Sequence, residues 1–482
     1  MNIAELAVFI VYLAAMIGIG VYFFLRSKGG NEKDYFLGGR QMGAWVSALS
    51  AGASDMSAWV LMGLPASIYA AGLGKAWIAI GLLIGYSLSW ILEAPRLRRF
   101  SIEANDSITI PQYLTNRFLS KSRALQIICA AIFIVAYTIY AASSIKACGT
   151  LFNTVLGMNA TVAMYIAAAI IVGYTFLGGF SAVCWTDFFQ GMLMLAALLI
   201  APIFALALIR SGSVEASSVF PEHFWSLTAD WRDIVSGMGW GLGYFGMPHI
   251  IIRFMSVRSD GELKKSRVIG ITWTLIILTM SVVAACVGRM FLGEIEDSST
   301  VFIQLTRHIF PPLVSGILLS AILAASMSTA DSQLLAASSA FASDVYKPVF
   351  RKEASDHEML WAGRAVVFGI AIIALIIAAN PNSGTIMGLV ENAWGVFGAA
   401  FGPTILLSLF WRKLSFGGAA AGIVVGALVD ILWLIALSST GIYEIIPGFI
   451  AGLIAAVVVS TVNGGPEPAV EALFDRAVNS TK

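Results

Sequence analysis

Apolar runs long enough to cross a hydrocarbon core about 30 Å thick, at about 1.5 Å per residue, follow one another along nearly the whole chain. On that pattern thirteen segments stand out: 4–25, 43–71, 76–94, 124–146, 160–178, 186–209, 232–254, 268–292, 310–341, 364–380, 386–411, 416–437 and 445–463. The prediction is an all-α polytopic membrane protein of about 13 transmembrane helices. Lys and Arg gather in alternate connections: Arg26 to Arg40 with Lys28 between them, Arg96 to Arg123, Arg258 to Arg267, Lys347 to Lys352, and Arg412 with Lys413. The positive-inside rule assigns those connections to the cytoplasm. The N-terminus is then expected outside, and the tail 463–482 inside, in a multi-pass protein of the plasma membrane.

Two of the segments are interrupted. The run Ser50-Ala51-Gly52-Ala53-Ser54-Asp55-Met56-Ser57-Ala58 puts small residues and a carboxylate in the middle of the second segment. Glycine weakens a helix there, serines can satisfy freed backbone groups, and an intramembrane Asp marks a functional site by default. The seventh segment carries Gly237-Met238-Gly239-Trp240-Gly241-Leu242-Gly243-Tyr244-Phe245-Gly246-Met247-Pro248-His249, which no smooth helix accommodates. These breaks lie five segments apart. Two five-helix halves, each opened by a broken helix and entering the membrane from opposite sides, form an inverted repeat with a ligand site at the midplane. The expected division is 1–42 (extra helix and inner loop), 43–209 (first repeat), 210–411 (second repeat with an outer loop) and 412–482 (C-terminal helices and tail). Glycines that merely ease helix packing would give the second signature too.

Composition narrows the class. The chain is 58% hydrophobic and 12% charged, too apolar for a soluble protein of this size, and its net charge of +1 suggests no nucleic-acid partner. Cys129, Cys148, Cys184 and Cys286 are scattered and read as small core residues. The first segment is too long for a signal-peptide core and lacks its basic start. Of the polar insertions, Pro111 is placed to open a short interfacial helix. The segment 211–232, with Phe220, Phe224 and Trp225, is either an outer lid or a plain loop with an aromatic anchor.

Candidate chemistry clusters at the breaks. Trp240 and Tyr244, four apart, are expected on one helical face and, with Tyr140, to wall a partly apolar pocket. Pro248 would free a backbone carbonyl, and N–H groups near Ser54 to Ser57 would hold a carboxylate; together they suit a small zwitterion. In the ninth segment Ser328, Asp331 and Ser332 share a face and Thr329 adds a hydroxyl, a donor set for a hard monovalent cation or, alternatively, helix glue. Asp187 is expected at the start of the sixth segment, either as a helix-terminal charge or on an ion route. Glu93, beside Arg96, is expected at the interface. Glu391 and Asp430 are lone acids in apolar segments.

At these residues the chain resembles the sodium/solute symporter family, most closely its proline-carrying members. The likeness covers nearly the whole length. It rests on Asp34-Tyr35-Phe36-Leu37-Gly38-Gly39-Arg40, Ser47 to Ser57, Trp240-Gly241-Leu242-Gly243-Tyr244-Phe245-Gly246 and Leu319 to Thr329. It implies a LeuT-type core and import of L-proline with Na+ as the coupling ion. The sodium site would use carbonyls of Ala53, Met56 and Ala325 with the hydroxyls of Ser328 and Thr329. Ser57, Tyr140, Trp240, Tyr244 and Pro248 would bind substrate, with Asp55 supporting sodium coupling. Asp187, Asp331 and Ser332 would form a second cation site or exit path, and Arg40 would serve gating. Three positions depart from the family pattern: Met247 in place of Gln, Ala58 in place of Gly, and Asp331 in place of a small residue.

Three rival functions stand beside this one. Another small amino or organic acid would fit the same architecture. A membrane solute sensor would need an output domain. An enzyme would need a partnered nucleophile or a metal set, and His223, His249, His308 and His357 are dispersed.

Overall fold

The computed structural model describes residues 2–26, 32–175 and 179–480. Lys28 and the predicted end of the fifth segment at 176–178 lie outside the described residues. The described chain is helical, with one isolated bridge between Met42 and Val257. Its α-helices of eight residues or more are α1 (Ile3–Arg26), α2 (Ala44–Asp55), α3 (Gly63–Ala71), α4 (Trp77–Leu88), α5 (Ala94–Glu103), α6 (Ile110–Arg117), α7 (Ala124–Leu156), α8 (Ala160–Thr175), α9 (Phe180–Arg210) and α10 (Trp231–Gly239). There follow α11 (Pro248–Ser256), α12 (Asp260–Leu292), α13 (Val301–Ile309), α14 (Pro312–Phe341), α15 (Asp356–Ala379), α16 (Ile386–Phe410), α17 (Phe416–Ala436), α18 (Ile445–Val462) and α19 (Pro468–Asn479). Among the described residues ten helical stretches are long and apolar enough to cross a membrane, so this is a multi-pass membrane protein.

Several helices outrun the hydropathy pattern, for legible reasons. The helix that begins at Asp260 is capped by Ser259, whose hydroxyl accepts from the Glu262 N–H at 3.2 Å. Its charged first turns are invisible to an apolar window. Likewise α7 continues ten residues past the expected end at 146 and stops only at Gly157, whose φ of 66° suits a left-handed C-terminal residue. Pro111 does lie in the first turn of a short helix, behind a Thr109 cap. Glu93 is fully buried among protein groups in a π-helical turn, Ser89–Glu93, and accepts from Ser89 Oγ at 2.8 Å. An isolated buried carboxylate is costly, and the hydroxyl four residues back supplies one partner.

Both interrupted segments are broken, though differently from expectation. Regular helix runs straight through Gly52 and ends at Asp55; the chain then turns at Met56 and extends at Ser57. Gly52 is needed for packing, since a Cβ there would stand 2.6 Å from the ring of Trp273 on α12. In the other segment, α10 passes into a 3₁₀ stretch, Trp240–Phe245, and Met247 is extended before Pro248 opens α11. A Cβ on Gly85 of α4 would stand 2.1 Å from the Gly241 carbonyl oxygen, so here backbone rests on backbone. Small residues bring helices this close in membranes.

The first broken segment lies at the centre of the molecule, packed against α9, α11, α12 and α14. Residues 46 to 55 are all buried, as are residues 318 to 340 of α14. Phe224 of the 211–232 segment is buried, and its carbonyl accepts from the Leu73 N–H at 2.8 Å, so this segment is docked over the far end of α3.

Candidate functional site

The end of α2 presents backbone carbonyls that no further helical turn can use. Four side chains from four other elements come to them. Ser328 Oγ, on α14, lies 2.8 Å from the Ala53 oxygen and 3.2 Å from that of Ala325. His249 Nε2, on α11, lies 3.1 Å from the Ser54 oxygen, and Tyr140 Oη, on α7, donates to the Asp55 oxygen at 3.4 Å. Trp59 Nε1 donates to the same Asp55 oxygen from beyond the break, at 3.2 Å. Because a carbonyl only accepts, His249 carries its proton on Nε2. Its Nδ1 then accepts from the Tyr137 hydroxyl at 3.3 Å.

Side chains tie the two breaks together. Tyr244 Oη donates to Asp55 Oδ2 at 2.5 Å, while Asp55 Oδ1 has no hydrogen-bond partner among the described residues. Thr329 Oγ1 is likewise buried without one. Ala53, Ala325 and Ser328 thus converge on one point, with an orphaned hydroxyl one residue away at Thr329. Met56 is where the helix ends. Such a set of neutral oxygens suits a hard monovalent cation.

The substrate-site candidates surround Asp55. Ser57, Tyr140, Tyr244 and Pro248 are fully or almost fully buried, and Trp240 is 3% exposed. Trp240 and Tyr244 correct an expectation. In a 3₁₀ turn residues three apart eclipse, so a spacing of four does not give one face. Trp394 of α16 unites them instead: its ring centroid is 5.1 Å from Tyr244 and 6.4 Å from Trp240, and its Nε1 donates to the Trp240 oxygen at 2.8 Å. The carbonyl that Pro248 leaves free, that of Tyr244, accepts weakly from Ser89 Oγ at 3.5 Å. Met247 is fully buried.

One turn nearer the Arg40 end lies a charged cluster. Arg253 of α11 donates from Nη2 to Asp187 Oδ2 at 3.1 Å and to Ser332 Oγ at 2.6 Å, and from Nε to Ser50 Oγ at 3.0 Å. Ser50 donates in turn to Asp187 at 2.6 Å, and the His249 carbonyl accepts from Arg253 Nη1. Asp187 is therefore fully buried two turns inside α9, not at its terminus. Asp331 is fully buried, within electrostatic reach of Tyr12 on α1. The sequence expectations named Asp187 and Ser332 but missed Arg253 and Trp394. An Arg inside an apolar segment is a default functional signal, so Arg253 was findable. Nothing local marked Trp394.

Arg40 closes this end. Its guanidinium donates to Asp106 Oδ1 at 2.9 Å, Ser101 Oγ at 3.1 Å, the Met255 oxygen at 2.6 Å and the Ser107 oxygen at 2.8 Å. Burial pushes it below its ordinary pKa while Asp106 pulls the other way. One link from this buried side chain ties the α1–α2 connection to the end of α11, and three tie it to α5 and the residues just after it.

This geometry has relatives. A profile described as the sodium:solute symporter family matches residues 35–426. The high-affinity proline transporter PutP of Bacillus subtilis (strain 168) is 43% identical, covering 95% of this chain and 98% of the relative. The sodium/proline symporter of Escherichia coli (strain K12) is 42% identical over 98% of this chain and 96% of its own. Among solved structures, the substrate-bound outward-open state of a Na+-coupled sialic acid symporter matches with a TM-score of 0.78 at 19% identity, covering 97% of this chain and 99% of that one. The transporter Mhp1 in a closed conformation matches at 0.56 and 14% identity, covering 92% and 99%. At those identities the structural likeness speaks to the fold alone.

Proposed function

The chain belongs to the sodium:solute symporter family, and on that premise we propose that it is a Na+-coupled symporter importing L-proline by alternating access. One observation carries this most directly. The Ser328 hydroxyl bonds the Ala53 carbonyl at the first break, while Tyr244 from the second break bonds Asp55 two residues on. Residues two apart at the end of one helix, Ala53 by its carbonyl and Asp55 by its carboxylate, thus answer to both an oxygen-rich cation site and an aromatic pocket, as coupling requires. The near-full-length likeness to proline transporters supports the substrate.

Na+ is held by the carbonyls of Ala53, Met56 and Ala325 and the hydroxyls of Ser328 and Thr329. It draws the first broken segment against α14. With that segment fixed, Asp55 orients Tyr244, and the walls Ser57, Tyr140, Trp240 and Pro248 close on the zwitterion. Arg40 with Asp106, and Arg253 with Asp187, hold the cytoplasmic side shut. Asp187, Asp331 and Ser332 serve the ion's inner route once Arg253 swings aside. Thirteen spans, with the N-terminus outside and the repeats at 43–209 and 210–411, complete the architecture; helices 412–482 follow them.

Radiolabelled L-proline uptake into proteoliposomes under an inward Na+ gradient, with K+ and H+ gradients as controls, tests this. Accumulation that needs Na+ is the expected result. Na+-driven uptake of another small acid but not of proline would move the error to the pocket around Met247. No Na+-driven transport of any such solute would overturn the function.

A further inference from the structure

Asp430 and Glu391, lone acids by sequence, acquire company in the structure at the end of the molecule opposite Arg40. Asp430, in α17, is fully buried, and neither of its carboxylate oxygens has a hydrogen-bond partner among the described residues. Glu444, just before α18, is 7% exposed, and its Oε1 has none either. Both acids converge on Gly395 of α16: a Cβ there would stand 2.9 Å from Asp430 Oδ1 and 3.3 Å from Glu444 Cγ. Glu444 also lines a cavity of about 310 Å³ with Lys75, Asp233, Trp240, Glu391 and Tyr443.

Two acids gathered at Gly395, Asp430 buried with no donor on either oxygen and Glu444 with none on Oε1, repel each other if both are ionised. Every neighbouring charge leaves the problem unsolved. Glu391, from α16, is a third acid. Lys75, in the turn just before α4, is committed to Asp233 of α10 at 2.9 Å, and Arg232 to Asp230 at 3.6 Å. Tyr443 spends its hydroxyl proton on the Glu391 carbonyl oxygen, at 2.8 Å. Among the described residues no group of three or more His, Cys, Asp or Glu side chains is arranged to hold a metal ion. A proton needs no such set, and one held by either carboxyl removes the repulsion.

The position gives the proton a consequence. Tyr443, next to Glu444, lies with its ring centroid 5.1 Å from that of Trp240, and Trp394 is one residue from Gly395. The acids therefore sit behind the aromatic wall of the candidate pocket. We propose that Asp430 and Glu444 share a proton while that wall is closed, forming a proton site, open through the cavity to the external face, that tightens substrate binding. Losing the proton puts a second negative charge between α16, α17 and α18 and loosens Tyr443 from Trp240. Burial raising the Glu444 carboxyl above its ordinary value agrees with this. The sign follows from linkage: the closed state holds the proton more tightly, so substrate affinity falls as external pH rises.

The assignment of this end to the outside, and of proline as substrate, rests on the function proposed above, so the test has two readouts. In proteoliposomes with the internal pH clamped, the KM for proline should rise roughly tenfold between external pH of about 6 and about 9. Asp430→Asn and Glu444→Gln should each flatten that dependence. Variants that transport and keep the wild-type slope, or a KM that follows internal pH alone, would overturn the proposal. Independently of any transport, infrared difference spectra of the full-length protein in lipid should show a protonated-carboxyl band near neutral pH that Asp430→Asn, or failing its expression Glu444→Gln, removes. Identical bands in wild type and variant would overturn the shared proton whatever the substrate proves to be.

Discussion

Replacing Arg253 by Met will cost the folded protein about 3–5 kcal/mol, because it leaves the Asp187 carboxylate buried without its counter-ion. Both side chains are almost completely buried, at 2% and 0% exposure, and they are 3.1 Å apart. The guanidinium also satisfies Ser50, Ser332 and the His249 carbonyl, so Arg253→Lys, with one compact ammonium, should recover little. The decisive comparison is the double variant. Arg253→Met with Asp187→Asn removes both charges and should restore most of the stability lost in the single variant. Thermal unfolding of the four proteins in detergent measures the cycle. Additive losses in the double variant would show that the two side chains act separately, against the geometry.

Asp55→Asn is expected to weaken the response to Na+ severely while leaving the protein folded. Asparagine keeps the shape and an oxygen acceptor for Tyr244, so the link between the two breaks survives. What disappears is the negative charge that Asp55 can offer beside the carbonyls of Ala53 and Met56 when a cation binds. A pair of opposite charges at an effective dielectric of about 20 is worth about 4 kcal/mol at 4 Å and falls as 1/r. Its loss, of order 2–4 kcal/mol, should raise the Na+ concentration for half-maximal uptake by about 30- to 1000-fold. Tyr244→Phe should do the reverse, raising the KM for proline with a smaller effect on Na+. Equal Na+ dependence in Asp55→Asn and wild type would remove Asp55 from the coupling machinery.

Much of the architecture was legible because it is written in local terms. A hydrocarbon-length apolar run reports a spanning helix by itself, and a cluster of Gly, Ser and Asp inside one reports a break. Ser328 and Thr329 stood out in the same way, as hydroxyls with no reason to be in lipid. The geometry within the breaks was less legible. Whether Trp240 and Tyr244 share a face depends on 3₁₀ against α winding, which is decided by the backbone of α4 pressing on Gly241 and by Trp394 wedged beside Gly243, where a Cβ would stand 1.9 Å from its Nε1. Nothing in the local sequence showed that Glu93 would be fully covered by protein. Asp187 could not be given a partner, since Arg253 reaches it from another helix 66 residues on.

The central claim is that sodium at the first break organises the proline pocket, and equilibrium binding tests it most directly. Purified protein is titrated with labelled L-proline in Na+ and in K+, and with Na+ at several proline concentrations, for wild type and Ser328→Ala. Na+ should raise proline affinity at least about tenfold, and proline should raise Na+ affinity by the same factor. In Ser328→Ala both effects should weaken together. Proline binding of equal strength in Na+ and K+ would contradict the account.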